Sequence, residues 1–198
     1  SAGWRIERED FFAVDPSTIN LFKLRGSYGE LGNENIGEYQ YMDVMARGDY
    51  TYSFGNDKVT GSAISNYVNT AIRWEKKKML DLGLDLGMFN NQLEFTVDWY
   101  KSTSEDLLYS VAVPANAGAT NETVTMNAAT MENSGLEFLL TYRNHRNAVK
   151  YDISTNFSTL RNKVTKLGVS GEPRTDGYSR TEVGREVGSF YGYVYEGI

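Results

Sequence analysis

The run MLDLGLDLGMFNNQLEFTVDWY, Met79–Tyr100, decides how this chain folds. Its even positions up to the midpoint are Leu80, Leu82, Leu84, Leu86 and Met88, and the odd positions between them are Asp81, Gly83, Asp85 and Gly87. Period two is the mark of a strand with one apolar face. Asn90-Asn91 follows, and asparagine tolerates positive φ, as the two-residue loop of a hairpin requires. Beyond it the phase swaps: Leu93, Phe95, Val97 and Trp99 are apolar, while Glu94, Thr96 and Asp98 are polar. With Asn90 and Asn91 as the loop, Met88 opposes Leu93, Leu86 opposes Phe95, Leu84 opposes Val97 and Leu82 opposes Trp99. A slip of one residue would mix the faces, so pattern and turn specify one register. The stretch predicts a long antiparallel hairpin with an oily face and a wet face.

The same alternation recurs on both sides. Phe22, Leu24, Gly26 and Tyr28 alternate with Lys23, Arg25 and Ser27. Leu136, Phe138, Leu140 and Tyr142 alternate with Glu137, Leu139 and Thr141, and after the polar turn Arg143–Asn147 the run Val149–Thr159 carries Tyr151, Ile153 and Phe157 on one side and Asp152 on the other. Shorter strands are expected at Gly37–Met45, Tyr50–Phe54, Leu107–Val113 and Phe190–Tyr195. Pro114–Asn133, rich in Ala, Asn and Thr, reads as an exposed loop. Lys76-Lys77-Lys78 reads as a solvated approach to the hairpin.

Composition is compatible with a β-rich chain. Fourteen Tyr, nine Phe and three Trp stand beside three Pro among the 198 residues. Mean hydropathy is -0.47, which has little meaning for alternating strands, because they never build an apolar run. A net charge of -6 argues against a nucleic-acid partner, which wants a basic face. With no cysteine there is no disulfide framework and no cysteine-based zinc site.

Connections between these strands alternate long and short: Leu31–Lys78, then Asn90-Asn91, then Lys101–Ser134, then Arg143–Ala148, then everything after Thr159. Short turns on one side and long loops on the other are the pattern of an outer-membrane barrel, whose strands need about 9–11 residues to cross. Tyr28, Trp99, Tyr100, Tyr142 and Tyr151 stand where interfacial aromatic girdles belong. A soluble β-sandwich that binds carbohydrate is the alternative, with the same apolar face turned to a second sheet.

Phe22–Gly29, Leu31-Gly32-Asn33, Ile36-Gly37, Trp74-Glu75-Lys76, Gly83-Leu84-Asp85, Asn90–Tyr100, Met131–Glu137, Gly188–Tyr193 and Gly197-Ile198, in this order, resemble the SusC/RagA-type TonB-linked outer-membrane transporters of Bacteroidetes. The pieces cover nearly the whole chain. The resemblance implies an all-β fold: an antiparallel up-and-down meander forming part of a transmembrane barrel of about 22 strands with long extracellular loops. It implies import of an oligosaccharide or peptide with a SusD-like lipoprotein and the TonB complex. Roughly five to seven strand candidates are fewer than the smallest membrane barrel holds. Residues 1–198 are therefore expected to be a partial barrel domain without plug or TonB box, cut at both ends. Taken out of the membrane, such a piece should self-associate.

On this reading Leu80, Leu82, Leu84, Leu86, Phe95, Val97, Trp99, Leu136, Phe138, Leu140, Tyr151 and Ile153 face lipid. Asp81, Asp85, Glu94, Asp98, Glu137 and Asp152 line a hydrated lumen, and the loop aromatics Tyr39, Tyr41 and Tyr52 are candidates for ligand stacking. Catalytic, cofactor and metal residues are not expected. His145 is the single histidine and sits in a polar turn, no phosphate-binding glycine motif opens a helix, and an enzyme would need a convergent site that the pattern does not show.

Overall fold

The computed structural model describes residues 1–34, 36–43, 45–64, 66–117, 123–145, 148–168 and 171–197. Arg146, Asn147 and Ile198, which figured in the expected turn and in the closing motif, lie outside them. Eleven strands are described in three sheets. The main sheet has six, in the order β1 (Ala2–Arg5), β2 (Ile19–Asn33), β5 (Glu75–Met88), β6 (Leu93–Ala112), β7 (Thr123–Asn144) and β8 (Tyr151–Lys166). All of its pairings are antiparallel. Two strands, β3 (Met45–Phe54) and β4 (Asp57–Ile64), form a separate ribbon. Three short ones, β9 (Arg174–Asp176), β10 (Ser179–Thr181) and β11 (Ser189–Phe190), form the third sheet.

The central hairpin has the register its pattern demands: Met88 opposes Leu93, Leu86 Phe95, Leu84 Val97 and Leu82 Trp99. Asn90 and Asn91 sit at φ 57° and 61°, and the Gln92 N–H donates to Phe89 O at 3.4 Å. That is a primed turn, whose twist matches the flanking strands. The turn is tied to the neighbouring strand, since Phe89 N–H donates to Thr18 O at 3.0 Å and Asn20 Nδ2 donates to Asn91 Oδ1.

Several sequence expectations are corrected. Thr123–Asn133 is not loop but the first half of β7, paired residue by residue with the upper part of β6, Val111 opposite Val124 and Tyr109 opposite Met126. The Ala, Asn and Thr content hides a strand whose pairing with β6 shifts twice, at a bulge in β6 between Ser104 and Leu107, where Asp106 takes φ 56°, and again between Leu107 and Leu108, where the extra residue is on β7. Of the expected strand Gly37–Met45, residues 38–41 are turn, with Tyr39 at φ 58°, Met45 opens the first ribbon strand, and Val44 lies outside the described residues. Its partner β4 has no counterpart among the strands expected from the sequence. Val149 lies outside β8, and of Phe190–Tyr195 only Phe190 is in a strand. The long connections thus carry sheet structure of their own.

The main sheet is a single layer. Buried apolar residues among those described are Ile6, Ala128, Val164 and Leu167, and none comes from the Leu80–Leu86 stripe. Leu82 remains 49 % exposed and Phe157 64 %. A sandwich would seal these side chains against a second sheet, and among the described residues no strand packs across them.

Candidate functional site

Strand register sorts the side chains onto two faces. One face stacks tiers of directly paired residues: Ile153, Tyr142, Leu93 and Met88; then Thr155, Leu140, Phe95, Leu86 and Phe22; then Phe157, Phe138, Val97, Leu84, Leu24 and Trp4; then Thr159, Leu136, Trp99 and Leu82. All twelve residues expected to face lipid lie here. Phe95, Phe138 and Phe157 form an aromatic ladder across three strands, each neighbouring pair with ring centroids 6.3 Å apart, and Tyr142 and Tyr151 stand 6.1 Å apart at the turn end. From Tyr151 to Arg161 the face runs for about ten residues, and at roughly 3.4 Å per residue and a tilt of about 40° that is roughly 25 Å, the height of a barrel's apolar band.

The opposite face carries Asp81, Asp85, Glu94, Asp98, Glu137 and Asp152, as the alternation required. Its organiser is a residue not singled out in the sequence, Arg25 on β2. The Arg25 Nε–H donates to Asp85 Oδ2 at 2.8 Å and Nη2 to Asp85 Oδ1 at 3.0 Å, and Nη2 also reaches Asp98 at 2.9 Å. Thr96 Oγ1 donates to Asp85 Oδ1 at 3.3 Å. Gly83 lies between Arg25 and Asp98 in the same tier, and its missing side chain leaves room for the guanidinium to cross the strand. The signal was present in Phe22-Lys23-Leu24-Arg25, whose phase puts Arg25 on the polar side, but the partner strand could not be read from it. Only Arg offers the fork that serves two carboxylates. Arg25→Met leaves Asp85 and Asp98 facing each other without a cation, and it should cost about 2 kcal/mol of unfolding free energy. A double-mutant cycle with Asp85→Asn measures it, and strict additivity of the two changes would contradict the coupling.

Elsewhere on this face Arg143 pairs with Glu94 at 2.6 Å, and His145 Nε2 lies 2.6 Å from Asp152 Oδ1. A depression of about 430 Å³ opens over Asp98, Glu137, Leu139 and Asn156. At the long-loop end, a cavity of about 450 Å³ lies between the small third sheet and the upper ends of β6, β7 and β8, floored by Leu107, Met131 and Val164. Arg174 stacks over the Tyr109 ring at 5.3 Å beside it, and its hydrogen bond with that phenol raises the guanidinium pKa. Of the three loop aromatics, Tyr39 lines a hollow of about 300 Å³ with Tyr67 and Thr125, whereas Tyr41 and Tyr52 stand exposed on the surface. Asn127 staples the approach to β5: its side chain accepts from Arg73 N–H at 2.7 Å and donates to Arg73 O at 2.7 Å and to Asp106 O at 2.8 Å.

A one-layer antiparallel sheet, oily on one face and charged on the other, has the build of a β-barrel wall. The chain belongs to the TonB dependent receptor-like, beta-barrel family, whose model matches residues 2–196. It is 34 % identical over 206 residues to TonB-dependent receptor P3 of Formosa agariphila, covering 98 % of this chain and 20 % of that protein. It is 31 % identical to TonB-dependent receptor SusC of Bacteroides thetaiotaomicron over 83 % of this chain and 17 % of that protein. The fold is similar to that in the structure of the RagAB peptide transporter, with a TM-score of 0.76 and 27 % identity over 95 % of this chain and 20 % of that one. The chain thus spans about a fifth of the length of its curated relatives.

Proposed function

We propose that this chain forms part of the barrel wall of a TonB-dependent importer in the outer membrane of a Bacteroidetes bacterium. Its face from Leu80 to Leu86, Phe95 to Trp99, Leu136 to Leu140 and Tyr151 to Ile153 meets lipid, and its face from Asp81 to Asp85, Glu94 to Asp98, Glu137 and Asp152 meets a hydrated lumen. The observation that carries this is the uncovered oily face, whose height matches the hydrocarbon thickness while its reverse side holds an ion network. The role is passive: it keeps cargo, water and lipid apart. In the whole receptor the cargo is an oligosaccharide or a peptide, taken up with a SusD-like lipoprotein and TonB-derived energy. Similarity to the RagAB peptide transporter supports the peptide half of that class. Outside the bilayer the isolated chain exposes its oily face and the edge strands β1 and β8, and it self-associates.

This chain contributes no native cysteine, so single cysteines placed in it report each face in a full-length receptor whose other cysteines have been replaced by serine. Val97→Cys should react with a lipid-soluble maleimide and resist a charged one, and its neighbour Thr96→Cys should do the reverse. Equal reaction of both with the charged reagent would overturn the wall assignment.

A further inference from the structure

The oily face does not simply stop at its long-loop end. The next tier after Trp99 and Leu136 holds Tyr28, Leu80, Lys101, Ser134 and Arg161, and the one beyond it holds Glu30, Lys78, Thr103, Glu132 and Lys163. Lys78 is matched by Glu105 at 2.7 Å and Lys101 by Glu132 at 3.3 Å. Arg161 and Lys163 are exposed, and among the described residues no carboxylate lies within ion-pair distance of either. At the turn end the corresponding tiers, Ile153 with Tyr142 and Tyr151 with Asn144, bear no charge. Among the described tiers, unmatched cationic charge therefore collects at the long-loop rim of the apolar band.

We propose that Arg161 and Lys163, with the Ser134 hydroxyl and Lys101, form a site for the phosphate of a lipid headgroup in the leaflet on the long-loop side. The proposal rests on the wall reading above. Arg161 and Lys101 flank Ser134 on adjacent strands and so stand roughly 10 Å apart, with Lys163 about 7 Å further along β8. Side chains of that length converge on one phosphate, and the arginine fork suits its oxygens. A lipid fits better than a free anion because the ground directly below is apolar: Thr159, Leu136 and Trp99 lead to Phe157 and Phe138, where acyl chains would lie. The two unmatched cations stand at the height where headgroup phosphates begin, and there each contributes about fivefold in affinity.

The test uses the full-length receptor in detergent, titrated with monophosphoryl lipid A and with the same lipid after phosphatase treatment, binding being read by native mass spectrometry. The phosphorylated form should bind about twenty-five-fold more tightly, and Arg161→Gln/Lys163→Gln should erase that preference. No preference in the parent, a preference that survives in the variant, or displacement of the lipid by millimolar inorganic phosphate would each overturn the site. A fluorophore on Phe157→Cys, in vesicles with brominated acyl chains, separates the two readings. Quenching together with absent phosphate preference removes only the headgroup site. Absent quenching removes the wall reading.

Discussion

Gly135→Val is expected to destabilise the folded wall by about 3 kcal/mol or more, the largest effect of any single substitution on the charged face. Gly135 stands in the tier of Tyr100 and Leu160. A Cβ built there runs into the Thr159 carbonyl oxygen of the adjacent strand and comes within 2.7 Å of the Tyr100 hydroxyl. The phenol could swing away. The carbonyl belongs to the backbone of β8, so β7 and β8 would have to part where their ladder is otherwise regular. Gly83 provides the contrast, because the atoms that meet its Cβ are the Asp98 carboxylate and the Arg25 guanidinium, the far ends of side chains. Gly83→Ala should therefore cost nearer 1 kcal/mol. Urea unfolding of the full-length receptor in vesicles ranks the two. The Tyr100→Ala background decides the cause: Gly135→Ala should remain costly in it, and full relief would transfer the blame from the Thr159 carbonyl to the ring.

The same tiers show which contacts the residues alone disclose. The β5–β6 register was readable because every apolar residue there has an apolar partner across the turn, and because Asn90-Asn91 admits only a tight loop. The twelve oily positions and six acidic ones were readable for the same reason: alternation fixes the face once the strand is known. Alternation is local, however. It does not say that Arg25 on β2 meets Asp98 on β6, since that contact depends on strand order and on the gap left by Gly83. It also fails where bulges shift the β6–β7 register, and so the first half of β7 reads as a loop. Beyond the apolar band, Thr, Asn and Ala on both faces leave no hydrophobic contrast to read, and the basic rim at Arg161 and Lys163 surfaces only when tiers from five strands are laid side by side. The cavity below the third sheet is of the same kind, for it needs Val164 and Leu107, far apart in the chain, to share one floor.

Depth is the quantity that separates a membrane wall from any other one-sided sheet, and Leu84 and Leu80 measure it within one strand. Leu84 shares its tier with Val97, Phe138 and Phe157 in the middle of the oily face, whereas Leu80 shares one with Lys101 and Arg161 at its rim. Both alternate in phase, and Leu80 is 37 % exposed in the isolated sheet, so a water-facing surface would treat arginine at either position alike. Hydrocarbon would not. Leu84→Arg should cost about 2–4 kcal/mol of unfolding free energy in vesicles, because the guanidinium is held near the midplane with no partner in reach. Leu80→Arg should cost about 0–1 kcal/mol, because its side chain reaches the interface that Lys101 already occupies. The gradient carries the inference more firmly than either value. General damage to packing would penalise both positions, and Leu80 at least as much as Leu84, given the positive charges beside it. Equal costs at the two sites, or a larger one at Leu80, would mean that no hydrocarbon layer lies against this face.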